Sequence, residues 1–490
     1  MGFIPGPVAT SRMITSRRMA AVDRNAAALG IPTRVLMESA GSAVADAVRR
    51  HAGDGDNIAI VAGRGDNGGD ALVTARFIDD LDATVHLVGD PEAIQSEASG
   101  DAWAALEACE LDRVVYPDSS DIDPFEADII VDGLLGTGIQ GSVREPIKSA
   151  IEAINASDAT VIAVDIPSGV DSDTGEIASV AVSADHVVTF HDRKPAHASI
   201  DVTVTVADIG IPDAADRFVG PGDAMVLGGR VADAHKGAHG RVLVVGGGPF
   251  SGAPALTGLA ALRAGADLAE VATPETVAPA VAGYSPDLIV HPLDGAHLAA
   301  SHVETLASAI ERADVLAIGP GLGDHPDTVE AVGELLAADV SRIVVDADGL
   351  AALAGAAATA EVIATPHAGE FADMGFDRPA HWREAETAVA DAARSLDATV
   401  LLKGPYDVIS DGERTAVNRT GNPGMTVGGT GDVLTGVTAA LAHRAPPIEA
   451  AAVAAWATGR AGDACLNEIG IGFLASDVLD RIPGAMALDR

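Results

Sequence analysis

The stretch VAGRGDNGGDALV, Val61 to Val73, places four glycines and two aspartates between the apolar run NIAIVAG and the helical-looking segment DALVTARFIDD. A buried strand that gives way to a glycine loop and then to a helix opens an α/β unit, with the loop where phosphate meets backbone N–H groups. The spacing is neither GxGxxG nor a Walker loop with its lysine, so the stretch alone leaves a nucleotide site and a tight structural turn equally open.

Working outward, NIAIVAG, TVHLVG, ADIIVDG, TVIAVD and HVVTF read as buried strands, with PIKSAIEAINA as a further helix. Two more polar loops, VDGLLGTGIQG (Val131 to Gly141) and VDIPSGVDSDTG (Val164 to Gly175), follow predicted strands. Ligands in open α/β sheets bind beyond the carboxyl ends of strands, so three loops converge on one crevice of a Rossmann-like domain. A second block repeats the alternation with RVLVVGGG, LAEVAT, VLAIGPG, RIVVDADG and TVLLKG as strands and alanine-rich helices such as APALTGLAALRAGA between them. Proline, glycine and aspartate in DIGIPDAADRFVGPGD mark a boundary near Val219, giving domains 1–218 and 219–490.

The chain of 490 residues carries 71 acidic and 31 basic side chains, a formal net charge of -40. Nucleic acid would be repelled, and acid spread through the whole chain suits a halophilic surface whose self-repulsion is screened by salt. Mean hydropathy is +0.25, yet no long uninterrupted apolar run marks a membrane span, and the first twenty residues lack the apolar core of a secretory signal. A cytoplasmic enzyme is expected. Cys109 and Cys465 match no metal-ligand spacing and are expected to be small buried residues. Lysine occurs only at Lys148, Lys194, Lys236 and Lys403. The alanine-rich AAAVAAWATGRAG suits a core or a homo-oligomer interface equally.

The three loops of the first domain, with LMESAG (Leu36 to Gly41) before them, resemble the NAD(P)H-hydrate epimerase family over roughly the first 215 residues. The resemblance implies contact with the hydrated dinucleotide by Asp66, Asn67, Gly68, Gly69 and Asp70, by Gly136, Thr137, Gly138, Ile139, Gln140, Gly141 and Ser142, and by Asp165 beside the damaged ring. It also implies a potassium ion on Asn67, Asp132 and Ser168, and their amide, carboxylate and hydroxyl oxygens suit such a cation. The family usually has asparagine at the position of Asp66 and glycine at that of Ala71. Asp165 is the candidate acid/base group, with Lys194 its candidate neighbour; the bland alternative for Asp165 is a carboxylate satisfied by its own DIPSG turn.

In the second domain, GNPGMTVGGTGDVLTG (Gly421 to Gly436) crowds glycines around Asp432 ahead of an apolar helix. Such glycines let backbone N–H groups approach phosphate, and an aspartate at the helix start can take a proton from an attacking hydroxyl. This looks like the ribokinase-like fold. Together with HKGAHGRVLVVGGGPFSGAPALTGLAALRAGA, IGPGLG, VVDADGL, TPHAGEF and LLKGPYDVI, it resembles the NAD(P)H-hydrate dehydratase family from about Arg230 onward. By that resemblance Ala253, Gly321, Leu322, Gly323 and His367 contact the hydrate, and Lys403, Gly404, Pro405, Tyr406, Asp407, Asn422, Gly428, Gly429, Thr430 and Gly431 hold ADP or ATP with Mg2+. Asp432 is the implied catalytic base, also touching substrate. For His367 alone, a core histidine capping its turn is the competing account, and Thr458 stands where the family commonly has histidine.

The whole chain thus resembles the bifunctional NAD(P)H-hydrate repair family, which epimerises NADHX and NADPHX and dehydrates the S form; prokaryotic resemblance points to ADP as donor. Two alternatives remain at this point: a small-alcohol or vitamin-precursor kinase with a nucleotide-sensing first domain, and a first domain that is a non-catalytic interaction module.

Overall fold

The computed structural model describes residues 13–120, 122–138, 141–228, 235–353, 355 and 358–487; the predicted site residues Ile139 and Gln140 lie outside them. The chain divides into two compact units between Asp213 and Ala214. Phe218 and Val219 lie in the second unit, where the Val219 N–H donates to the Val417 carbonyl at 2.9 Å.

In the first unit, β-branched and apolar runs form β1 (Asn57–Ala62), β2 (Asp82–Val88), β3 (Arg113–Tyr116), β4 (Ile129–Gly133), β5 (Thr160–Val164), β6 (His186–Phe190) and β7 (Thr203–Ala207). They pair in parallel in the order β3-β2-β1-β4-β5-β6-β7. The order reverses between β1 and β4, so the loops leaving these strands flank one crevice. The glycine-rich stretch is largely helix: the helix Asp66–Phe77 starts inside it, and only Gly63 to Gly65 form the turn. A Cβ on Gly68 would strike the Gly63 carbonyl, and one on Gly69 the Ser99 hydroxyl and the Met37 side chain. These two glycines therefore serve close packing of the helix under the loop rather than the loop itself.

The second unit contains β8 (Arg241–Val245), β9 (Leu268–Pro274), β10 (Ile289–Leu293), β11 (Val315–Ile318), β12 (Arg342–Val345), β13 (Glu361–Ala364), β14 (Thr399–Leu402), β15 (Asp407–Ser410) and β16 (Thr415–Asn418). Their order is β10-β9-β8-β11-β12-β13-β14-β15-β16, parallel except for β15 and β16, which continue the sheet antiparallel. The switch point falls between β8 and β11.

The helix Pro447–Ile469 buries Ala450 through Gly459 inside the unit, so that stretch belongs to the core and no longer argues for an oligomer interface. Cys465 is buried, whereas Cys109 is exposed at the end of the helix Glu97–Ala108, contrary to expectation. Among the described residues no helix is long and apolar enough to cross a membrane.

The helix Thr430–Ala442 meets the helix Gly252–Arg263 at Gly436, where a Cβ would clash with the Thr257 carbonyl and the Ala260 methyl. Gly436→Ala is expected to destabilise the protein by about 1–3 kcal/mol through overpacking, read as a lower denaturation midpoint.

Candidate active sites

The first site sits beyond β1, β4, β5 and β6 in a cavity of about 580 Å3. Asp66, Asn67, Asp70, Gly136, Thr137, Gly138 and Asp165 line it together with Lys194. Gly68, Gly69, Asp132 and Ser168 are buried and absent from the cavity wall, as are the exposed Gly141 and Ser142.

Asp132, near the end of β4, is fully buried. Ser168 donates to it twice, from Oγ to Oδ1 at 2.6 Å and from the backbone N–H to Oδ2 at 2.8 Å. Asn67 donates from Nδ2 to the Leu135 carbonyl at 3.0 Å, and the Ser168 hydroxyl lies against that same oxygen at 3.2 Å. The three predicted ligands therefore meet around Leu135. Burial pushes the Asp132 carboxyl up to about 6, with only hydrogen bonds from Ser168 and Leu134 opposing it. A buried carboxylate with no cationic side chain beside it among the described residues, surrounded by hydroxyl, carbonyl and amide groups, fits a hard monovalent cation.

Asp165 follows β5 with φ 63°, a left-handed conformation that aspartate tolerates better than most residues. Its Oδ1 accepts from Lys194 Nζ at 2.5 Å and from Thr189 Oγ1 at 2.8 Å. Lys194 is only 1% exposed and also donates to the Phe190 carbonyl at 3.1 Å. His197 braces the pair: Nδ1 accepts from the Lys194 N–H and Nε2 reaches the Asp165 carbonyl, both at 3.0 Å. Those contacts fix a neutral tautomer with the proton on Nε2, consistent with burial pulling the His197 imidazole below its usual range.

Asp23, which sequence reading missed, faces the same cavity from the helix Ser16–Ala28. Burial raises it to about 6, Lys194 pulls the other way, and Asp165 and Asp66 add to the rise. Asp70 is pushed well above the carboxylate range by burial, then by Asp165, Asp66 and Asp23. Asp66 occupies the first turn of its helix, where its carboxylate accepts from Ser96 Oγ at 2.5 Å. Negative charge is tolerated there by the helix N-terminus.

In the second unit, a cavity of about 740 Å3 is lined by Lys403, Gly404, Pro405, Asp407, Asn422 and Gly428 through Gly431. Tyr406 is not part of its wall; its ring stacks on Trp382 at 5.5 Å. Asp407 pins the loop, accepting from the Gly404 N–H at 3.0 Å and from Asn418 Nδ2 at 2.9 Å. His367 lines this nucleotide-side cavity. Its Nδ1 also accepts from the Gly369 and Glu370 N–H groups at 3.0 Å. It therefore caps its helix, as the competing account expected, but it is exposed and not a core residue, and it keeps the Nε2 proton free to donate.

Gly429 takes φ 99° immediately before the helix Thr430–Ala442, placing Asp432 in the first turn. Burial raises Asp432 to about 7, Asp346 and Asp348 raise it further, and Lys403 opposes them. Lys403 Nζ donates to Asp346 Oδ1 at 2.7 Å and lies 3.7 Å from Glu370. Thr435 Oγ1 holds the other Asp346 oxygen at 2.7 Å. Asp346 and Glu370 were missed as site residues, although both stand in the motifs VVDADGL and TPHAGEF. Three carboxylates around one lysine leave negative potential beside the glycine turn. Oxygen donors of this kind, shared with nucleotide phosphates, fit Mg2+.

Ala253 and the Gly321 to Gly323 turn form a separate group at the β8/β11 switch point. The Gly321 α-carbon packs near Phe250 and Ala253, and the Gly323 N–H donates to Asp348 Oδ2 at 2.7 Å. The group adjoins the Asp432 turn through Leu256, which sits where a Gly429 side chain would lie.

Residues 33–196 match the family described as YjeF-related protein N-terminus, and residues 242–484 match that described as NAD(P)H-hydrate dehydratase. The chain is 47% identical over 486 residues to the bifunctional NAD(P)H-hydrate repair enzyme of Pyrobaculum aerophilum, covering 96% of this chain and 97% of that protein. It is 43% identical over 493 residues to the enzyme of that name from Methanothermobacter thermautotrophicus, covering 96% and 94%. Among solved structures, the ADP/ATP-dependent NAD(P)H-hydrate dehydratase of Bacillus subtilis co-crystallised with ATP and Mg2+ is 28% identical with a TM-score of 0.49, covering 55% of this chain and 97% of that one.

Proposed function

The chain belongs to the family of bifunctional NAD(P)H-hydrate repair enzymes, and we propose that it interconverts the R and S hydrates of NADH and NADPH in its first unit and dehydrates the S hydrate in its second, consuming ADP or ATP. The observation that carries the second activity is Asp432 in the first turn of a helix entered through a left-handed glycine, with Lys403 and Asp346 beside it. In dehydration, Asp432 takes the proton of the ring hydroxyl as that oxygen attacks the terminal phosphate of the nucleotide. Backbone N–H groups of the glycine turn and Lys403 offset the charge of the phosphate in transfer. The ring nitrogen's lone pair then expels phosphate and restores the conjugated reduced nicotinamide, so ADP gives AMP and ATP gives ADP. Asp346 and Glu370 would hold Mg2+ together with the nucleotide phosphates, and the ion would supply charge neutralisation there.

In epimerisation the hydroxyl-bearing carbon loses and regains its substituent through an iminium or ring-opened species, for which a positioned acid/base group suffices. Asp165 fills that role, with Lys194 holding its carboxylate and His197 its backbone. K+ on Asn67, Asp132 and Ser168 supplies positive charge near the dinucleotide pyrophosphate. At constant ionic strength, replacing choline by K+ is expected to raise both the midpoint of thermal unfolding and the rate of epimer exchange. Asp132→Asn is expected to lose both responses; a retained K+ response in that variant would remove the assignment.

The excess of acid over base extends to an organism rich in salt and a cytoplasmic setting. Because the Debye length falls from about 10 Å at 0.1 M to 3 Å at 1 M, raising KCl across that range is expected to stabilise the protein by several kcal/mol, roughly 10 °C in Tm. An unchanged Tm would argue against a high-salt surface. The same charge disfavours nucleic-acid partners.

The activity itself is tested by supplying purified protein with NADH hydrate, Mg2+, K+ and either ADP or ATP. Return of reduced-nicotinamide absorbance supports repair and identifies the donor. Accumulation of a stable phosphate ester without that absorbance would make the second unit an ordinary kinase.

A further inference from the structure

Away from both sites, the segment after β10 and the start of the helix Pro326–Leu336 bring together His297, His325 and Asp327. The two imidazoles stack at 3.7 Å between centroids with 21° between their planes. His297 Nε2 lies 3.1 Å from Asp327 Oδ2, and His325 Nδ1 lies 3.8 Å from the same oxygen. One ligand atom of each residue falls within 4.8 Å of the other two. Among the described residues no other trio of histidine, cysteine or carboxylate side chains converges so closely, although the chain holds 71 acidic residues and 14 histidines. Crowded acid alone does not produce such a trio elsewhere, which sets this one apart from the general surface charge.

We propose that His297, His325 and Asp327 form a binding site for a divalent transition metal of the zinc class. Two imidazole nitrogens and one carboxylate oxygen are the donor set such ions take, with water completing the shell. Metal–nitrogen bonds near 2.1 Å put tetrahedral ligand atoms about 3.4 Å apart, between the two separations to Asp327 Oδ2, and the partly exposed imidazoles close the shell by turning out of their stack so that both in-plane lone pairs meet one ion. His325 Nδ1 accepts from the Asp327 N–H at 3.2 Å, and that N–H turns to water if the metal takes this nitrogen. The ion clips the segment after β10 to the residues that directly follow the Gly321 to Gly323 turn.

The test uses the full chain stripped with chelator and held in excess Mg2+ without nucleotide, so that Mg2+ competes for the carboxylates around Lys403. Titration with Co2+ is expected to give one equivalent with the visible absorption of nitrogen–oxygen coordination, and Zn2+ is expected to displace it and raise the thermal midpoint. His297→Ala and His325→Ala are each expected to weaken this equivalent by about a hundredfold and to lose the thermal shift, with circular dichroism unchanged. Equal Co2+ stoichiometry and spectrum in the variants, or no bound equivalent in the wild type, overturns the site. Binding without a thermal shift overturns the clip.

Discussion

Asp432→Ala is expected to lower kcat for dehydration of the S hydrate by about 10²–10⁴-fold, the range lost with a positioned general base, while epimer exchange continues at the wild-type rate. The loss corresponds to about 3–5 kcal/mol of transition-state stabilisation. Because the wild-type carboxyl sits at about 7, kcat is expected to fall as pH drops below that value and to level above it. Asp346 is the second cause of the rise, after burial, and Lys403 opposes it. Asp346→Asn is therefore expected to move the acid limb to lower pH, besides lowering the rate through the loss of the Lys403 partner. Stability has the opposite sign. A carboxyl whose pKa is raised on folding contributes stability at low pH that is lost as pH climbs from the unfolded value toward the folded one. Asp432→Asn is accordingly expected to raise the thermal midpoint at pH 8 while removing activity. A destabilised, inactive variant would mean that Asp432 is a structural residue.

Asp165→Asn is expected to reduce enzymatic epimer exchange by about 10²–10⁴-fold, toward the spontaneous rate, with S-hydrate dehydration unaffected. Asparagine is the informative replacement. Asparagine removes the charge but keeps an amide oxygen for the buried Lys194 ammonium, whereas alanine would leave it without an acceptor there, and breaking a buried pair from one side costs about 3–5 kcal/mol, enough to confuse lost chemistry with lost fold. Exchange measured by chromatography of the two epimers, with circular dichroism alongside, separates the two. Wild-type exchange in a folded Asp165→Asn protein would return the residue to the role of a turn carboxylate.

Much of this organisation could be read from residues whose neighbours in sequence are also their neighbours in space. Strands β1, β4, β5, β8 and β11 are near-continuous apolar runs followed by glycine or aspartate, and their burial on both faces makes them plain. Edge strands were missed, and so was β13. Val114 and Val115 in β3 are each 38% exposed, and β13 reads EVIA, whose two β-branched residues end in an alanine and do not stand out from the alanine-rich chain around it. The β15–β16 hairpin did carry a signal in Asp411-Gly412 between two short apolar runs.

Within the sites, Lys194 and Lys403, two of the four lysines in the chain, are both buried in ion pairs with carboxylates. Asp23 and Asp346 were not legible as site residues, since nothing in their local sequence says that a helix over 100 residues from Asp165 faces its cavity, or that a strand end far from Asp432 holds Lys403 and Thr435 beside it. The start of the helix at Asp66 was also hidden, because glycines that permit close packing and glycines that cradle phosphate look alike in sequence.

The central claim is that one chain carries two independent chemistries on two units, joined by a shared substrate. The most direct measurement mixes Asp165→Asn protein with Asp432→Ala protein and supplies both NADH-hydrate epimers, nucleotide, Mg2+ and K+. Each protein alone is expected to fall short: the first stops at the S fraction after correction for spontaneous exchange, and the second recovers nothing. Together they are expected to restore nearly all of the reduced-nicotinamide absorbance. Failure of the mixture to exceed the first protein alone, with wild type recovering everything, would contradict independent sites.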